Sequence, residues 1–291
     1  MQGIILVNKP QGPTSFAAVA RVKRLAGQKR VGHTGTLDPM ASGVLPMLAG
    51  RAAALSDYLM CADKRYTAVC RLGITTDTYD ITGEVVNTCE HKVTKEQLCS
   101  VLDAFRGEIM QTPPMFSAIK RDGVKMYQLA RKGQTVELEP RKVEIKQLDL
   151  LDFDGTEFKI DVFCSKGTYI RSLCHDIGAK LGCGATLTSL ERTQTGAFKI
   201  EDCVPLDDLC EDNIESYCKN EDIAVAHLPF VQVTRPQAIR FSNGGTLDIN
   251  RVRFDGEEGT ILRVKFEDTL IGIGCITDGQ IKIKCVINNV L

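Results

Sequence analysis

The sequence lacks any apolar run long enough to cross a membrane. Its longest apolar runs, residues 3–7 and 44–49, are far shorter than the roughly 20 residues that a membrane-spanning helix needs. The first residues also lack the charged segment and the cleavage site of a secretory signal. These absences argue against a membrane or secreted protein, and we expect a cytoplasmic one.

Metal chemistry has little support in the sequence. None of the 12 cysteines forms a C-x-x-C pair, and the four histidines do not stand at metal-ligand spacing. A zinc ribbon, a redox dithiol and a metal enzyme are therefore disfavoured, and no metal is expected. Several cysteines, including Cys70, Cys164 and Cys285, lie on apolar patterns, and we interpret them as reduced thiols that pack like small hydrophobic side chains.

Acidic residues are almost missing from the N-terminal part of the chain. Residues 1–51 contain seven lysines and arginines but one acid, Asp38, whereas residues 201–229 contain nine acids and one base, Lys219. The net charge of −1 therefore hides a strong segregation of charge. A localised basic surface favours a polyanionic partner, most commonly a nucleic acid, although a solvated charged surface would give the same pattern.

The 291 residues are 43% hydrophobic and 25% charged, a composition typical of a globular protein with one large domain or two. Apolar periodicity, capping residues and glycine stops predict the secondary structure. Strands are predicted over 3–8, 66–73, 142–151, 157–165 and 185–200. Helices are predicted over 15–26, 47–60, 94–105 and 170–181, with a glycine-rich loop over 31–46.

The residue pattern of the C-terminal part of the chain changes near residue 228. The acidic stretch over 201–225 is predicted to be mostly helical, whereas the residues after 228 show glycines and short apolar alternations. This pattern predicts a small all-β unit over 229–291, following a first domain over 1–228. Within the first domain, residues 107–140 are interpreted as a polar, basic insertion with a short helix near 127–132.

The most unusual stretch contains Asp38. Residues 32–43 read GHTGTLDPMASG and lie between a basic helix and an apolar one. The surrounding bases should lower the pKa of Asp38 and keep it ionised, and an ionised carboxylate can act as a nucleophile or a base. An Asp-Pro turn in a solvent-exposed loop fits the pattern equally well. A phosphate-binding loop fits less well, because G-K-[ST] is missing and a carboxylate would repel phosphate.

Three further motifs stand out. Tyr66 follows Lys64-Arg65 and opens an amphipathic strand, where it is either a core residue or a platform on which a base stacks. Residues 166–173 read KGTYIRSL and run from a strand through a glycine into a helix. Residues 190–196 read LERTQTG. No single motif establishes an activity.

Together these motifs resemble those of the TruB-type tRNA pseudouridine synthases. GHTGTLDP at 32–39, followed by SGVLP at 42–46, is similar to the family's central motif. The similarity covers residues 3–198 in the family's order, through NKPQG at 8–12, KRY at 64–66, TTDT at 75–78, PP at 113–114, KGTYIR at 166–171 and LERTQTG at 190–196. One position departs, since the family usually has two consecutive arginines after the leucine that matches Leu190, and the first is here Glu191.

The resemblance implies a fold and a reaction. The fold is α+β, a large mixed and mainly antiparallel sheet with flanking helices, followed by a small C-terminal β domain that is PUA-like and binds RNA. The reaction breaks the C1′–N1 bond of a uridine and rejoins the base through C5. Asp38 would be the nucleophile, attacking either the base or the sugar, and Arg171 would pair with it. Tyr66 would pack on the uracil and help to remove the C5 proton.

The resemblance also implies how the substrate is bound. His33, Tyr169 and Leu190 match positions that contact the target nucleotide, which must be flipped out of its stack to be reached. Basic residues near Lys9, Arg21 and Arg24, together with the 107–140 insertion, would hold backbone phosphates.

The family's substrate is uridine 55 in the TΨC arm of tRNA. No cofactor is expected, because the rearrangement is redox-neutral. The 107–140 insertion resembles the family's mobile thumb loop, which guide-RNA-dependent relatives lack, so we expect a monomer that works without a guide RNA. Two alternatives are a catalytically silent RNA-binding protein and an RNA-directed hydrolase. The first has no need of Asp38, Tyr66 and Arg171, and the second needs another acid beside Asp38 that no motif supplies.

Overall fold

The computed structural model describes residues 1–117, 120–121, 124–126, 129, 136 and 138–290. The strands of these residues are β1 (Gly3–Lys9), β2 (Val31–His33), β3 (Ala41–Ala49), β4 (Lys64–Leu72), β5 (Ile74–Thr76), β6 (Val85–Thr88), β7 (Gly107–Gln111), β8 (Lys120–Arg121), β9 (Val124–Lys125), β10 (Arg141–Phe153), β11 (Glu157–Cys164), β12 (Ala185–Thr195), β13 (Phe198–Lys199), β14 (Val204–Pro205), β15 (Cys218–Lys219), β16 (Phe230–Gln232), β17 (Leu247–Asp248), β18 (Ile261–Phe266), β19 (Thr269–Thr277) and β20 (Gln280–Val286).

The helices flank these strands. The α-helices of the described residues are α1 (Ser15–Leu25), α2 (Ser56–Met60), α3 (Lys95–Asp103), α4 (Ile170–Leu181), α5 (Arg235–Ser242) and α6 (Ile249–Val252). Short 3₁₀ helices cover Gly50–Leu55, Ile200–Asp202, Leu206–Asp208 and Glu221–Val225. No helix in the described part of the chain is both long and apolar enough to span a bilayer.

A mixed sheet of eleven strands dominates the described part of the molecule. Its main path runs β14-β1-β3-β12-β4-β11-β10-β7, and β15, β2 and β13 pair beside it. Among the described strands of this sheet, only the β1–β14 and β3–β12 pairs are parallel. The α+β class and the mainly antiparallel sheet predicted from the sequence are confirmed.

Several local predictions are confirmed by the contacts that set them. The side chain of Thr14 caps α1, and Thr94 and Gln97 form a capping box at the start of α3. Gly182 ends α4 in a left-handed conformation with φ 79°. On β4, Tyr66, Ala68, Cys70 and Leu72 alternate with more exposed residues and point into the core.

The prediction over residues 31–60 is partly wrong. The segment expected to be a loop forms β2 and most of β3, and the segment expected to be a helix continues β3 to Ala49 before a 3₁₀ helix and α2. Residues 43–49 are all buried, because β3 lies in the interior of the sheet. A short apolar run that is buried on both faces has the same pattern in a strand and in a helix.

The acidic stretch is also not helical as predicted. It forms three short 3₁₀ turns and isolated strand pairs. Asparagine side chains bond locally to the backbone, with Asn213 accepting from the Cys210 N–H at 2.9 Å and Asn220 from the Asp222 N–H at 2.8 Å. Such bonds compete with helical hydrogen bonds and favour turns.

The predicted insertion begins later than expected. Residues 107–111 form β7, which pairs with β10 in the main sheet. The predicted helix near 127–132 falls mostly outside the described residues, as do the side chains of the basic residues at 120–132.

The C-terminal residues form a separate five-stranded sheet in the order β16-β18-β19-β20-β17. Because α5 and α6 pack with it, the unit is not all-β as predicted. Leu270, Ile273 and Ile287 of this unit share one apolar cluster with Ile4 and Leu48 of the main sheet. The two units are therefore joined by a common core, and their division at residue 228 stays a prediction.

Candidate active site

The loop that carries Asp38 is anchored to the start of α1. The Ser15 hydroxyl accepts a hydrogen bond from the Leu37 N–H at 2.8 Å and donates one to the Leu37 carbonyl at 2.9 Å. On the other side of Asp38, the Gly12 N–H donates to the Pro39 carbonyl at 2.8 Å. Both neighbours of Asp38 are thus fixed to the residues that follow β1, so the backbone around this carboxylate is preorganised.

Arg171 lies beside Asp38, as the sequence led us to expect. Its Nε is 2.9 Å from Oδ2 of Asp38, and only 5% of the Arg171 side chain is exposed, against 37% of Asp38. The same guanidinium donates to the carbonyls of Thr78 at 3.1 Å and Phe116 at 2.8 Å. These two carbonyls therefore fix its plane, and the Nε edge is left to orient the carboxylate.

The electrostatics of Asp38 differ from the prediction. Burial raises the pKa of Asp38 above its ordinary value, and the guanidinium of Arg171 opposes this effect without cancelling it. The expected lowering by surrounding bases is wrong, because the loss of solvation outweighs the nearby positive charges. A carboxylate that is poorly solvated and held by one ion pair is a more reactive nucleophile than a solvated one.

Asp38 opens onto a cavity of about 290 Å³. The structure brings five of the seven residues singled out in the sequence to its wall: Asp38, Tyr66, Tyr169, Arg171 and Leu190. They come from four separate elements, the loop before β3, the strands β4 and β12, and the start of α4. These five residues bring one carboxylate, one guanidinium, two phenol rings and an apolar side chain to the cavity wall.

Tyr66 is buried in the wall of this cavity. The guanidinium of Arg192 lies close to its hydroxyl. Burial raises the pKa of Tyr66, with Arg192 opposing, so the phenol is protonated at neutral pH. Its role in packing on a base stays a prediction.

Sequence reasoning missed Arg192 and Lys64. Arg192 is 1% exposed, lines the cavity, and donates to the carbonyls of Val44 at 2.8 Å and Gly35 at 3.1 Å. Lys64 also lines the cavity and donates to the carbonyls of Met60 and Ala62, and burial lowers its pKa to about 8. Both lie in quoted motifs, and each is a cation two residues from a buried residue on the same face of its strand, Tyr66 for Lys64 and Leu190 for Arg192.

Lys9 and His33 do not line the cavity. Lys9 is completely buried behind the Asp38 loop, where its Nζ donates to the carbonyls of Pro10 and Pro13, and burial lowers its pKa to about 8. In this structure the Lys9 ammonium is not presented to solvent, and its role in holding a phosphate stays a prediction. His33 is half-buried on β2, and its role stays a prediction. On α1, Arg21 is paired with Asp207 at 2.7 Å.

A second carboxylate lies on the far side of Arg171. Oδ2 of Asp80 is 3.5 Å from the guanidinium, and its Oδ1 accepts from the Thr78 hydroxyl and the Thr82 N–H. This acid was missed in the sequence, although the hydrolase alternative required one. It does not line the cavity, so it holds Arg171 rather than facing a substrate. Among the described residues, no cluster of three or more His, Cys, Asp or Glu could bind a metal.

Comparison with known families agrees with this geometry. A family model described as "TruB family pseudouridylate synthase (N terminal domain)" matches residues 23–170, and "tRNA pseudouridylate synthase B C-terminal domain" matches residues 171–228. The chain belongs to the TruB family of pseudouridylate synthases. Members of this family are isomerases, which confirms the resemblance and the class of reaction drawn from the sequence.

Curated relatives match nearly the whole chain. "tRNA pseudouridine synthase B" of Clostridium tetani is 43% identical over 97% of this chain and 98% of its own length. The protein of the same name in Stutzerimonas stutzeri is 45% identical over 84% of this chain and 82% of its own length.

Solved structures share the fold. A chain of an "H/ACA RNP bound to a substrate RNA containing 2'-deoxyuridine" has a TM-score of 0.75 at 27% identity, covering 98% of this chain and 85% of its own. A chain of a "Cbf5-Nop10-Gar1 Complex" has a TM-score of 0.76 at 26% identity, covering 99% and 85%. The pseudouridine synthase fold expected from the sequence is thereby confirmed.

Proposed function

We propose that this protein converts uridine 55 in the TΨC arm of tRNA to pseudouridine, with Asp38 as the nucleophile. The observation that carries the proposal is the 2.9 Å pair between Asp38 and Arg171 in the wall of a cavity that also presents Tyr66 and Leu190. The names of the curated relatives support the choice of tRNA as the substrate.

The reaction exchanges one bond of the uridine for another. Asp38 attacks either the sugar or the base, the C1′–N1 bond breaks, and the base turns so that its C5 can bond to C1′. The C5 proton then leaves, N1 takes up a proton, and Asp38 is released unchanged. Atoms and electrons balance within the nucleotide and the aspartate, so the step needs no redox partner.

Arg171 and Tyr66 have separate tasks in this scheme. Arg171 holds Asp38 ionised and aimed, because its charge opposes the effect of burial on the pKa of Asp38. Tyr66 packs on the uracil with its phenol protonated. We further predict that the Tyr66 phenol helps to remove the C5 proton once the new bond has formed, by passing its own proton on as its oxygen accepts the new one.

Access to this cavity requires an unstacked base. The carboxylate lies within the wall, so a uridine still stacked in RNA could not reach it, and flipping costs a few kcal/mol. Leu190 and Tyr169 would contact the flipped nucleotide on either side of Asp38, and contacts between basic residues and backbone phosphates would offset the cost.

Assembly into a ribonucleoprotein is the second candidate. The two structural neighbours come from an H/ACA RNP and a Cbf5–Nop10–Gar1 complex. We instead propose a cytoplasmic monomer that works without a guide RNA, because a curated relative that matches 97% of the chain carries a tRNA enzyme's name. We also propose that residues 1–228 hold the catalytic machinery and that residues 229–291 form a PUA-like unit that adds contacts to RNA.

The experiment uses purified protein and bare tRNA tritiated at uracil C5. Tritium release without loss of the base or cleavage of the strand is expected, since among an isomerase, a hydrolase and a silent RNA-binding protein only the isomerase replaces the C5 hydrogen and keeps the base. Asp38→Asn should abolish release and retain most tRNA binding, because phosphate contacts dominate affinity. Asp208→Asn, an exposed aspartate, is the matched control and should behave as wild type. Multiple turnovers by Asp38→Asn would refute the role of Asp38, and release that requires added RNA would favour the ribonucleoprotein.

A further inference from the structure

The support of Arg171 depends on a short turn over residues 77–80. Two of the contacts to the guanidinium come from this turn, namely the Thr78 carbonyl at 3.1 Å and the Asp80 carboxylate at 3.5 Å. Tyr79 is the residue between them. Any change in the backbone of Tyr79 therefore moves both contacts at once.

Tyr79 is held in an unfavourable backbone conformation. Its φ is +63°, in the left-handed region that a bulky aromatic residue rarely adopts. Such a conformation persists only where the surroundings impose it, and it is found most often at functional sites. The Tyr79 carbonyl accepts from the Leu187 N–H at 3.1 Å, which fixes one side of the turn to β12.

The other side of the turn is fixed by the Tyr79 ring. It stacks on the imidazole of His175 with a centroid distance of 3.9 Å and an interplanar angle of 14°. His175 lies on α4 four residues after Arg171, so the two side chains share one face of the helix. Burial lowers the pKa of His175, so a neutral imidazole meets the phenol ring at neutral pH.

We propose that the stack of Tyr79 on His175 is a positioning element for Arg171. It clamps the 77–80 turn against α4 and thereby keeps the Thr78 carbonyl and the Asp80 carboxylate on the guanidinium that aims Asp38. Neither ring lines the cavity, so both act through Arg171 and not on the substrate. The inference rests on the proposed function, since it assumes that the Asp38–Arg171 pair is the reacting centre.

The test separates the loss of the ring from the strain of the backbone. Tyr79→Asn removes the ring but keeps a residue that tolerates a left-handed conformation. Tyr79→Phe keeps the ring, and His175→Ala removes its partner. Tyr217→Asn makes the same exchange at a half-exposed tyrosine in the acidic segment and serves as the matched control.

The readouts are the single-turnover rate of tritium release at saturating tRNA, the Kd for tRNA, and the thermal unfolding midpoint. Tyr79→Asn and His175→Ala should each lower the rate by roughly ten- to a hundredfold, because small displacements of a catalytic pair are costly. Their Kd should be unchanged, and Tyr79→Phe and Tyr217→Asn should match wild type. Should Tyr79→Asn fail to fold, His175→Ala decides. Unchanged rates in the variants that remove a ring, or a loss in Tyr79→Phe equal to that in Tyr79→Asn, would overturn the proposal.

A further readout needs no substrate. The Nε–H resonance of Arg171 in a nitrogen–proton NMR spectrum reports its bond to Asp38, and Arg171→Lys identifies the signal. The resonance should shift in Tyr79→Asn and not in Tyr79→Phe. A wild-type protein that releases no tritium refutes the proposed function, whereas an Arg171 resonance that is indifferent to Tyr79 refutes the positioning role alone.

Discussion

Gly43 makes the contact between two strands of the site possible. It lies on β3 directly opposite Arg192 on the parallel strand β12. A Cβ built on Gly43 would be 2.2 Å from the Arg192 carbonyl oxygen and 2.7 Å from its backbone nitrogen. Backbone atoms cannot rotate away, so Gly43→Ala must push the two strands apart. The φ of Gly43 is +106°, which adds strain for any other residue.

The expected loss in the free energy of unfolding of Gly43→Ala has two parts, backbone strain and overpacking. Gly12 has the same φ of +106° but nothing within 4 Å of its Cβ position, so Gly12→Ala reports the backbone strain alone. That strain costs about 1–3 kcal/mol. Gly43→Ala should cost the same strain plus about 1–3 kcal/mol for overpacking, or about 2–6 kcal/mol in all. This is a large part of the roughly 5–15 kcal/mol by which folded proteins are stable.

The measurement is urea unfolding followed by circular dichroism, with both variants and wild type at one pH and temperature. The free energy of unfolding should fall more for Gly43→Ala than for Gly12→Ala. Tritium release should also fall in Gly43→Ala at urea concentrations where it is still folded, because β12 carries Leu190 and Arg192 into the cavity. Equal losses in the free energy of unfolding of the two variants would show that the close approach of the strands adds nothing to the cost of Gly43→Ala.

Three further predictions concern the ion pair, a buried acid and the C-terminal unit. Arg171→Lys keeps a positive charge but lacks the planar set of donors, so tritium release should slow strongly with a smaller change in tRNA affinity. A wild-type rate in this variant would mean that a residue other than Arg171 holds Asp38. Burial raises the pKa of Asp176 from 3.8 to about 6, so its contribution to stability is present below pH 3.8 and is lost as the pH rises to about 6. The free energy of unfolding of Asp176→Asn, taken relative to wild type, should therefore rise between pH 3.8 and about 6. A difference that does not change with pH would contradict this prediction. A chain ending at residue 228 loses Leu270 and Ile273 from the core shared with the main sheet, so its thermal unfolding midpoint should fall. An unchanged midpoint would show that residues 229–291 add only contacts to RNA.

Local interactions made part of the fold predictable. Thr94 and Gln97 bond to each other's backbone within one turn, and Gly182 supplies a left-handed conformation at the end of α4, so each signal acts within a few residues. The alternation on β4 is likewise local, because successive strand residues point to opposite faces. Asp38 and Arg171 were identified in the same way, from short motifs whose residues match a family in order and type.

The remaining features depend on what the chain brings together over long distances. β3 could not be told from a helix, because its two faces are buried in two apolar clusters formed with other parts of the chain. Leu45 and Met47 share one cluster with residues of α1, and Val44 and Leu48 share the other with residues of the C-terminal unit. The pKa of Asp38 is set by burial, which a count of neighbouring bases does not contain. Arg192 reaches the cavity only because β12 lies parallel to β3, and Tyr79 meets His175 only because a turn after β5 folds onto α4. The types of residue at the site were therefore predictable from local motifs. Their solvation and their contacts with one another could not be predicted, because these depend on sheet pairing and helix packing between residues that are far apart in the sequence.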